Sequence, residues 1–205
     1  MDKNILKNLS YGMYVVGAKN EKNVGCVVNT VVQITSNPIT IAVSINHDNY
    51  TNKVIKETNK FSVSILDETV NPEIIGTFGY KTSEDIDKYE NIEYDMVDNI
   101  PILKDSCGNL ICTVINTIET TTHTIFVAEV NQMINYKNKI PMTYRYYHEV
   151  LKGKSPKNAP TFIEENKKNI WKCDVCGYEV EKDSLPDDFI CPICGETKNS
   201  FKKIN

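Results

Sequence analysis

Several hallmarks of common protein classes are missing from this sequence of 205 residues. No run of 18 apolar residues occurs, and residues 1–7 lack the apolar stretch of a secretory signal. The net charge of −4 comes without a basic stripe, which argues against nucleic acid as a partner. Internal repeats and low-complexity tracts are also absent. We therefore expect a soluble, cytoplasmic protein that binds neither membranes nor nucleic acid.

Cysteine is informative, because four of the seven form two close pairs near residue 205. Cys173 and Cys176, like Cys191 and Cys194, are separated by two residues and followed by glycine. That spacing lets both sulfurs of a pair reach one ion, and the glycine permits a turn with φ > 0 that aims backbone N–H groups at sulfur. Four soft thiolates select iron or zinc, between which composition does not decide. The pattern predicts one tetrathiolate metal site.

The residues around the two pairs resemble rubredoxin, a one-iron electron carrier. The resemblance covers residues 169–205 and rests on Trp171, Tyr178, the Leu-Pro-Asp-Asp-Phe run at 185–189, and Phe201. Only fourteen residues separate the two cysteine pairs, as in the shortened modules fused to larger redox proteins. A structural zinc ribbon is the alternative. In either case, metal binding would contribute much of the folding free energy of so small a module.

The other three cysteines, Cys26, Cys107 and Cys112, lie in apolar, strand-like surroundings. We expect them to be buried as small hydrophobic side chains, without a disulfide framework. Metal-binding thiols also require a reducing compartment, which agrees with a cytoplasmic location.

Hydrophobic periodicity over residues 11–135 is mostly that of β-strands. Six segments rich in Val, Ile and Thr are separated by turn residues, at 14–18, 25–35, 39–45, 61–66, 110–118 and 123–134. Two helices are predicted, one at 51–58 and one at 71–78, the second with Asn71 as its cap and Pro72 in its first position. Six or more strands predict a barrel or a sandwich.

The periodicity fades after residue 149 into a run of Lys, Gly, Ser, Asn and Pro, followed by charged residues. Such a composition is typical of a linker. We therefore expect a first domain at 1–150, a linker at 151–168 and a metal domain at 169–205.

Four motifs in order, at 25–38, 41–51, 78–83 and 122–130, resemble the flavin reductase-like family with its FMN-binding split barrel. The resemblance spans about 4–148. It implies a mainly β fold, a split β-barrel with a few helices, followed by the small rubredoxin-like domain. A barrel of this family followed by rubredoxin also resembles the high-molecular-weight rubredoxins, which pass electrons from reduced pyridine nucleotide to flavodiiron proteins.

Residue chemistry agrees with an FMN site along the first of these motifs. Side chains alternate along a strand, whose backbone can offer N–H and C=O groups to the polar edge of the isoalloxazine. The candidates for this contact are Asn29, Thr30, Val31, Gln33 and Thr35.

The second motif brings short polar side chains to the start of a helix. Unpaired N–H groups and the helix dipole favour an anion there, and we expect the FMN phosphate at this position. The candidates are Ser44, Asn46, Asn49 and Thr51. The alternative is that Asn49 or Thr51 merely caps the helix.

The resemblance also places two candidates near the ring, Lys81 after the Phe-Gly turn and His123 at the head of a late strand. A cation or hydrogen-bond donor near N1 and O2 would stabilise reduced, anionic flavin. For His123 the alternative is a strand-end histidine satisfied by the backbone. The tyrosine-rich run at 144–148 could stack on the flavin, or could serve ordinary packing or a dimer contact.

Together the two resemblances imply an NAD(P)H-dependent flavin/rubredoxin oxidoreductase with one FMN and one iron per chain. The implied mechanism is hydride transfer to N5 of FMN, two single-electron steps to the iron, and delivery to a redox protein such as a flavodiiron protein. No Gly-x-Gly-x-x-Gly or Walker pattern occurs, so the nucleotide would have to lie transiently over the flavin face. We expect a homodimer formed through the barrel.

Two alternatives remain open. In one, the barrel is a reductase that releases reduced flavin to a monooxygenase, and the metal module is a structural zinc ribbon. In the other, the chain is a non-catalytic electron carrier that a separate NADH-dependent reductase reduces. Visible colour from thiolate-to-iron charge transfer would exclude the first, and direct NADH oxidation by the purified protein would exclude the second.

Overall fold

The structure, a computed structural model, describes residues 3–153, 155–156, 159–161 and 169–204. It divides into two compact units, one within 1–162 and the other within 163–205, each with its own hydrophobic core. In the described part of the chain, no helix is long and apolar enough to cross a membrane.

Strands dominate the first unit. They are β1 (Tyr14–Lys19), β2 (Asn23–Val28), β3 (Val32–Ser36), β4 (Ile39–Asn46), β5 (Lys60–Ile65), β6 (Tyr94–Val97), β7 (Ile100–Leu103), β8 (Gly108–Glu119) and β9 (His123–Asn135). Seven of them form one antiparallel sheet in the order β2-β1-β5-β8-β9-β4-β3. The hairpin β6–β7 turns through Asp98 and Asn99, both at positive φ, as a two-residue type I′ turn requires.

The large sheet curls into a barrel that is split between its edges. Strands β2 and β3 are the two edges, yet only residues 29–31 join them along the chain. The four Cα–Cα steps from Val28 to Val32 span at most about 14 Å, so the edges must converge. This is the mainly β split barrel that the sequence predicts.

The single strand predicted over 25–35 is wrong in its middle, because the chain leaves the sheet at 29–31. Strand β2 pairs with β1, whereas β3 pairs with β4, so the chain must change partners between them. At the break, the hydroxyl of Thr30 makes the hydrogen bonds to the backbone of Ser44 in place of a strand's main chain. It donates to Ser44 O at 2.8 Å and accepts from Ser44 N at 3.3 Å.

Three α-helices complete the first unit: α1 (Tyr50–Thr58), α2 (Pro72–Tyr80) and α3 (Tyr144–Glu149). Asn71 caps α2 by accepting from Glu73 N at 3.0 Å, and Pro72 occupies its first position, which confirms the sequence prediction. Helix α3 and the β6–β7 hairpin were not predicted. Elements of six and four residues are too short to display a hydrophobic period.

Two of the three buried apolar clusters of the barrel unit lie on opposite faces of β1. Val16 belongs to a cluster with Phe61 and Phe126, against which α1 packs through Val54. The neighbouring Val15 faces the other way, as alternation along a strand requires, into a second cluster that α2 and α3 cover. Cys26 and Cys112 are buried in the first cluster, as expected.

The second unit is a small three-stranded sheet built around cysteine. Its strands β10 (Ile170–Cys173), β11 (Glu179–Glu181) and β12 (Phe201–Lys203) are antiparallel in the order β11-β10-β12. Cys173, Leu185, Cys191 and Phe201 form its buried core. Two of these four side chains are thiols, so the apolar core is small, and a bound metal would be a main source of stability.

Candidate cofactor sites

The four paired cysteines converge on one point in the second unit. Their Sγ atoms all lie within 4.8 Å of one another, with 3.7 Å between Cys173 and Cys194 and 3.5 Å between Cys176 and Cys191. A tetrahedron with metal–sulfur bonds of about 2.3 Å has edges of about 3.8 Å. The thiols are therefore already spaced to ligate a single ion, as the sequence predicts.

The two cysteine pairs share one backbone conformation. Gly177 and Gly195 both have φ of 76°, and each donates its N–H at 2.9 Å to the carbonyl of the first cysteine of its pair. A side chain at either position would be strained. Burial alone would raise the pKa of the Cys191 thiol, but hydrogen bonds from the backbone N–H groups of Cys194 and Ile193 and from the Cys194 and Cys176 thiols together lower the pKa to about 7. Although backbone N–H groups act to lower the pKa of Cys176 and Cys194 as well, burial and hydrogen bonds with neighbouring thiols raise it, so a bound cation is needed to hold all four as thiolates.

A cavity of about 630 Å³ opens in the barrel unit at the split between β2 and β3. Cavities of about 300 to 1,000 Å³ accommodate ligands of cofactor size. Its walls come from the end of β2, the start of the 29–31 crossover, the end of β4, the start of α1, the turn after α2, the head of β9, and α3. Seven of the residues that the sequence singles out line it: Asn29, Thr30, Ser44, Asn46, Asn49, Lys81 and His123.

The other four candidates lie outside this lining. Gln33 and Thr35 are exposed on the edge strand β3, where Gln33 Nε2 donates to Thr35 O at 3.2 Å. Val31 packs against the barrel core, and Thr51 is buried in α1. The break at 29–31 explains the position of Gln33 and Thr35, because residues beyond it belong to a different edge of the sheet.

The start of α1 is where the sequence predicts an anion. Asn49 is the helix cap, since its Oδ1 accepts from Thr51 N at 3.0 Å, and this is the alternative role that the sequence left open. Asn46 Oδ1 similarly accepts from Asp48 N at 2.8 Å. Asp48 also lines the cavity, and its carboxylate opposes an anion bound beside it. The phosphate position stays a prediction.

His123 brings an unsatisfied polar atom to the cavity. Its Nδ1 contacts Thr122 Oγ1 at 2.8 Å, while its Nε2 is buried and has no hydrogen-bond partner among the described residues. Burial, and then the charge of His47, lower the pKa of the imidazole below its usual value, so the ring is neutral at pH 7. A buried nitrogen of this kind is expected to find a partner, and a polar ligand in the cavity would provide one.

Three tyrosines line the cavity: Tyr144 and Tyr147 belong to the run at 144–148, for which the sequence leaves stacking on the flavin, packing or a dimer contact open, whereas Tyr80 was not a site candidate. Tyr80 and Tyr147 join their hydroxyls at 3.0 Å, and the ring of Tyr144 lies 6.2 Å from that of Tyr147 at an interplanar angle of 26°. Tyr144 and Tyr147 are three residues apart, which is one helical turn, and this spacing was the available signal. They give the cavity an aromatic wall suited to a planar ring.

Comparison with known proteins gives a family match for each of the two units. A flavin reductase like domain matches residues 6–153, and a rubrerythrin, rubredoxin-like domain matches residues 171–202. The chain belongs to the flavin reductase-like domain family and carries a C-terminal rubredoxin-like domain. It is 37% identical to a high molecular weight rubredoxin from Moorella thermoacetica, a match that covers 100% of both chains.

Two further relatives cover the barrel. A ferric-chelate reductase (NAD(P)H) from Archaeoglobus fulgidus is 34% identical over 167 residues, which are 80% of this chain and 99% of the relative. An NADH:FAD oxidoreductase from Streptomyces globisporus has the same fold, with a TM-score of 0.64 and 17% identity over 69% of this chain and 85% of that one. The chain is accordingly an electron-transfer oxidoreductase whose cofactors are FMN and one iron.

Proposed function

We propose that the chain accepts electrons from NAD(P)H at the barrel, directly or through a separate reductase, and delivers them from its iron module to a redox protein of the flavodiiron type. The observation that carries the proposal is the combination, in one chain, of a cavity for flavin and four thiols spaced for one ion. The full-length similarity to a high molecular weight rubredoxin supports it. A reducing compartment, the cytoplasm, is the location that such thiolates require.

The residues around the cavity would bind the flavin and hold its ring. When bound, FMN supplies the conversion of a two-electron hydride into single electrons. His123 offers its buried Nε2 as a hydrogen-bonding group, and Lys81 supplies a positive charge from the turn after α2. The tyrosines of the cavity would cover one side of the ring. No side chain is required as an acid, base or nucleophile.

Anaerobic addition of NADH or NADPH to the purified chain tests this function. We expect both the flavin absorbance and the thiolate-to-iron bands to bleach without another protein, the flavin first and the iron after it. Bleaching only after a separate reductase is added would assign the chain to the carrier class. In that case the electron acceptor function stands, and direct oxidation of the nucleotide does not.

A second candidate function is favoured by the Archaeoglobus relative, which is a ferric-chelate reductase. In this version the barrel would reduce free flavin or a ferric chelate, and the cysteines would hold structural zinc. Metal analysis separates the two, since one zinc and no iron per chain would support the second candidate.

We also propose that the barrel forms a homodimer. Four large apolar side chains are exposed on two strands of the sheet: Val32 and Ile34 on β3, and Ile115 and Ile118 on β8, all between 50% and 57% exposed. Large apolar side chains exposed on the surface of a soluble protein are candidates for a protein interface when they form one patch. A second copy of the chain is the occupant that we propose, because closed twofold dimers are the commonest soluble assemblies.

Charge substitution within this surface tests the dimer. We expect Ile34→Lys to convert a dimer into a monomer at micromolar concentration in analytical ultracentrifugation, because burying an unpaired ammonium disfavours association. Ile193→Lys in the iron module, at a side chain that is 69% exposed, is the matched control and should stay dimeric. A monomeric native chain that still binds FMN would contradict the proposal.

A further inference from the structure

We propose that the segment leading from the barrel towards the iron module is itself a wall of the flavin cavity, fixed in place by Gly153 and Thr161. The wall segment consists of Gly153, Ser155, Pro156 and residues 159–161. This proposal rests on the proposed function only in placing FMN in the barrel cavity. The consequence is that FMN binding and the anchoring of the wall segment are coupled.

The wall segment contributes directly to the cavity surface. Ser155, Pro156, Ala159 and Pro160 all line the cavity, although the sequence assigns them to a linker. Ala159 N donates to Pro156 O at 3.0 Å, which closes a turn within the segment. The two prolines restrict the backbone before it folds, so less entropy is lost when the segment becomes ordered.

Gly153 allows the chain to cross the ring of Tyr147. Its N–H donates to Tyr147 O at 2.9 Å, and its carbonyl contacts His148 Nδ1 at 2.7 Å. A Cβ at this position would lie 2.0 Å from Tyr147 Cζ, which is far inside van der Waals contact. Tyr147 is buried and cannot swing away without opening the cluster beneath it. Any side chain at 153 therefore displaces the wall or the tyrosine.

Thr161 fastens the other end of the wall segment. Its hydroxyl contacts Tyr144 OH at 2.7 Å and accepts from Asn29 Nδ2 at 3.1 Å. Tyr144 OH also contacts Ser155 Oγ, so one phenol holds the segment at two points. Asn29 belongs to the crossover at the split of the barrel, and both Asn29 and Tyr144 line the cavity. The hydroxyl of Thr161 thus joins the wall segment to two other sides of the same cavity.

Substitutions at the two anchors of the full-length chain test the coupling. We expect Gly153→Ala and Thr161→Val to raise the FMN dissociation constant at least fivefold, measured by the quenching of flavin fluorescence on binding. Thr161→Ser keeps the hydroxyl and should stay within twofold of the native chain. Gly76→Ala is the matched glycine control, because its Cβ on α2 would meet no atom within 4 Å.

Limited trypsin digestion gives a second readout that does not depend on activity. Lys152, Lys154 and Lys157 place cleavage sites in and beside the wall segment. We expect FMN to slow cleavage there at least fivefold in the native chain, and we expect this protection to be lost in Thr161→Val. Mass spectrometry identifies the cleaved bonds.

The outcomes are distinguishable from failure of the proposed function. If the native chain binds no FMN, the function itself fails. If the native chain binds FMN, but Gly153→Ala and Thr161→Val bind it equally well or more tightly, only the wall inference is overturned. Cleavage at 152–157 that is indifferent to FMN would overturn it as well. Iron content should be unchanged in all four variants, because none of them touches the cysteines.

Discussion

Lys88 is a buried lysine that ties together two elements beside the flavin cavity. Its Nζ donates to Gly25 O on β2 at 2.8 Å and to Phe78 O in the last turn of α2 at 3.2 Å. Burial lowers the pKa of this ammonium from 10.5 to about 8, although the Cys26 thiol nearby acts in the opposite direction. The charge is retained at neutral pH because the two carbonyl oxygens solvate it.

This lowered pKa predicts a pH dependence of stability. From about pH 8 to pH 10.5 the unfolded chain binds a proton at this lysine that the folded chain has released, so the free energy of unfolding rises with pH. We expect the Lys88 contribution to rise by about 2 kcal/mol between about pH 7.5 and about pH 9.5. Urea unfolding of the native chain and of Lys88→Met isolates it, because the variant lacks this titration. A pH-independent difference between the two proteins would contradict the assignment.

His123 predicts an effect on cofactor affinity. If its unpaired Nε2 bonds the flavin, His123→Phe should weaken FMN binding about tenfold, since a hydrogen bond is worth about 1 to 1.5 kcal/mol. His123→Gln should lose less than about threefold, because its side-chain amide nitrogen replaces Nε2. Fluorescence titration with FMN measures both. Equal affinities for the native chain and the Phe variant would assign His123 to local packing.

At the scale of elements, the sequence predicts the long strands and the capped helices well. Strands such as β9, and α2 with its Asn-Pro start, carry their own periodicity and caps. The break at 29–31 is not visible locally, because it follows from which neighbours the two edge strands find across the sheet. The same break explains why only part of the first motif reaches the cavity: Asn29 and Thr30 line it, whereas Gln33 and Thr35 do not.

The metal site, unlike the break at 29–31, could be predicted from the sequence because it depends mostly on local spacing. Its four ligands lie in two local turns, so spacing alone places each pair, and only the approach of the two turns requires tertiary structure. The aromatic wall of the flavin cavity is assembled from α2 and α3, which are distant along the chain. Packing between elements that are distant along the chain cannot be predicted from the local pattern of a single sequence.

The crossover between the barrel edges predicts a stability effect. Thr30→Val removes the hydroxyl that bonds both the N–H and the C=O of Ser44, so we expect a loss of about 1 to 2 kcal/mol in the free energy of unfolding. Thr113→Val on β8 is the control, since its hydroxyl meets only the exposed Asn131 side chain; we expect a loss below about 0.5 kcal/mol. Denaturant unfolding compares them, and similar losses would contradict the role of Thr30.

At the scale of the whole molecule, the two units are expected to bind their cofactors independently. Cys176→Ser replaces one of four thiolates and should abolish iron binding while leaving one FMN per chain. Cys107→Ser, which changes a cysteine of the barrel unit, should leave the iron in place. Metal analysis and the visible spectrum read out both variants. A proportional loss of flavin in Cys176→Ser would contradict the division into two units.

The covalent connection between the units also predicts a kinetic effect. We expect reduction of the iron to be first order in the intact chain. After cleavage of the chain between Lys167 and Lys168, outside the wall segment, it should become slower and dependent on protein concentration, because an intramolecular encounter is replaced by a bimolecular one. Rapid mixing of cut and intact protein with NADH measures the difference. Unchanged first-order kinetics after cleavage would mean that an interface, and not the chain connection, holds the units together.

The central claim is that electrons pass from the nicotinamide nucleotide through the barrel to the iron of the same protein. Anaerobic stopped-flow mixing of the pure, iron-loaded and FMN-loaded chain with NADH or NADPH tests it most directly. With at least one of the two nucleotides, the account predicts loss of flavin absorbance first, followed by loss of the thiolate-to-iron bands at a rate independent of protein concentration. Bleaching of the flavin while the ferric iron keeps its colour would contradict it.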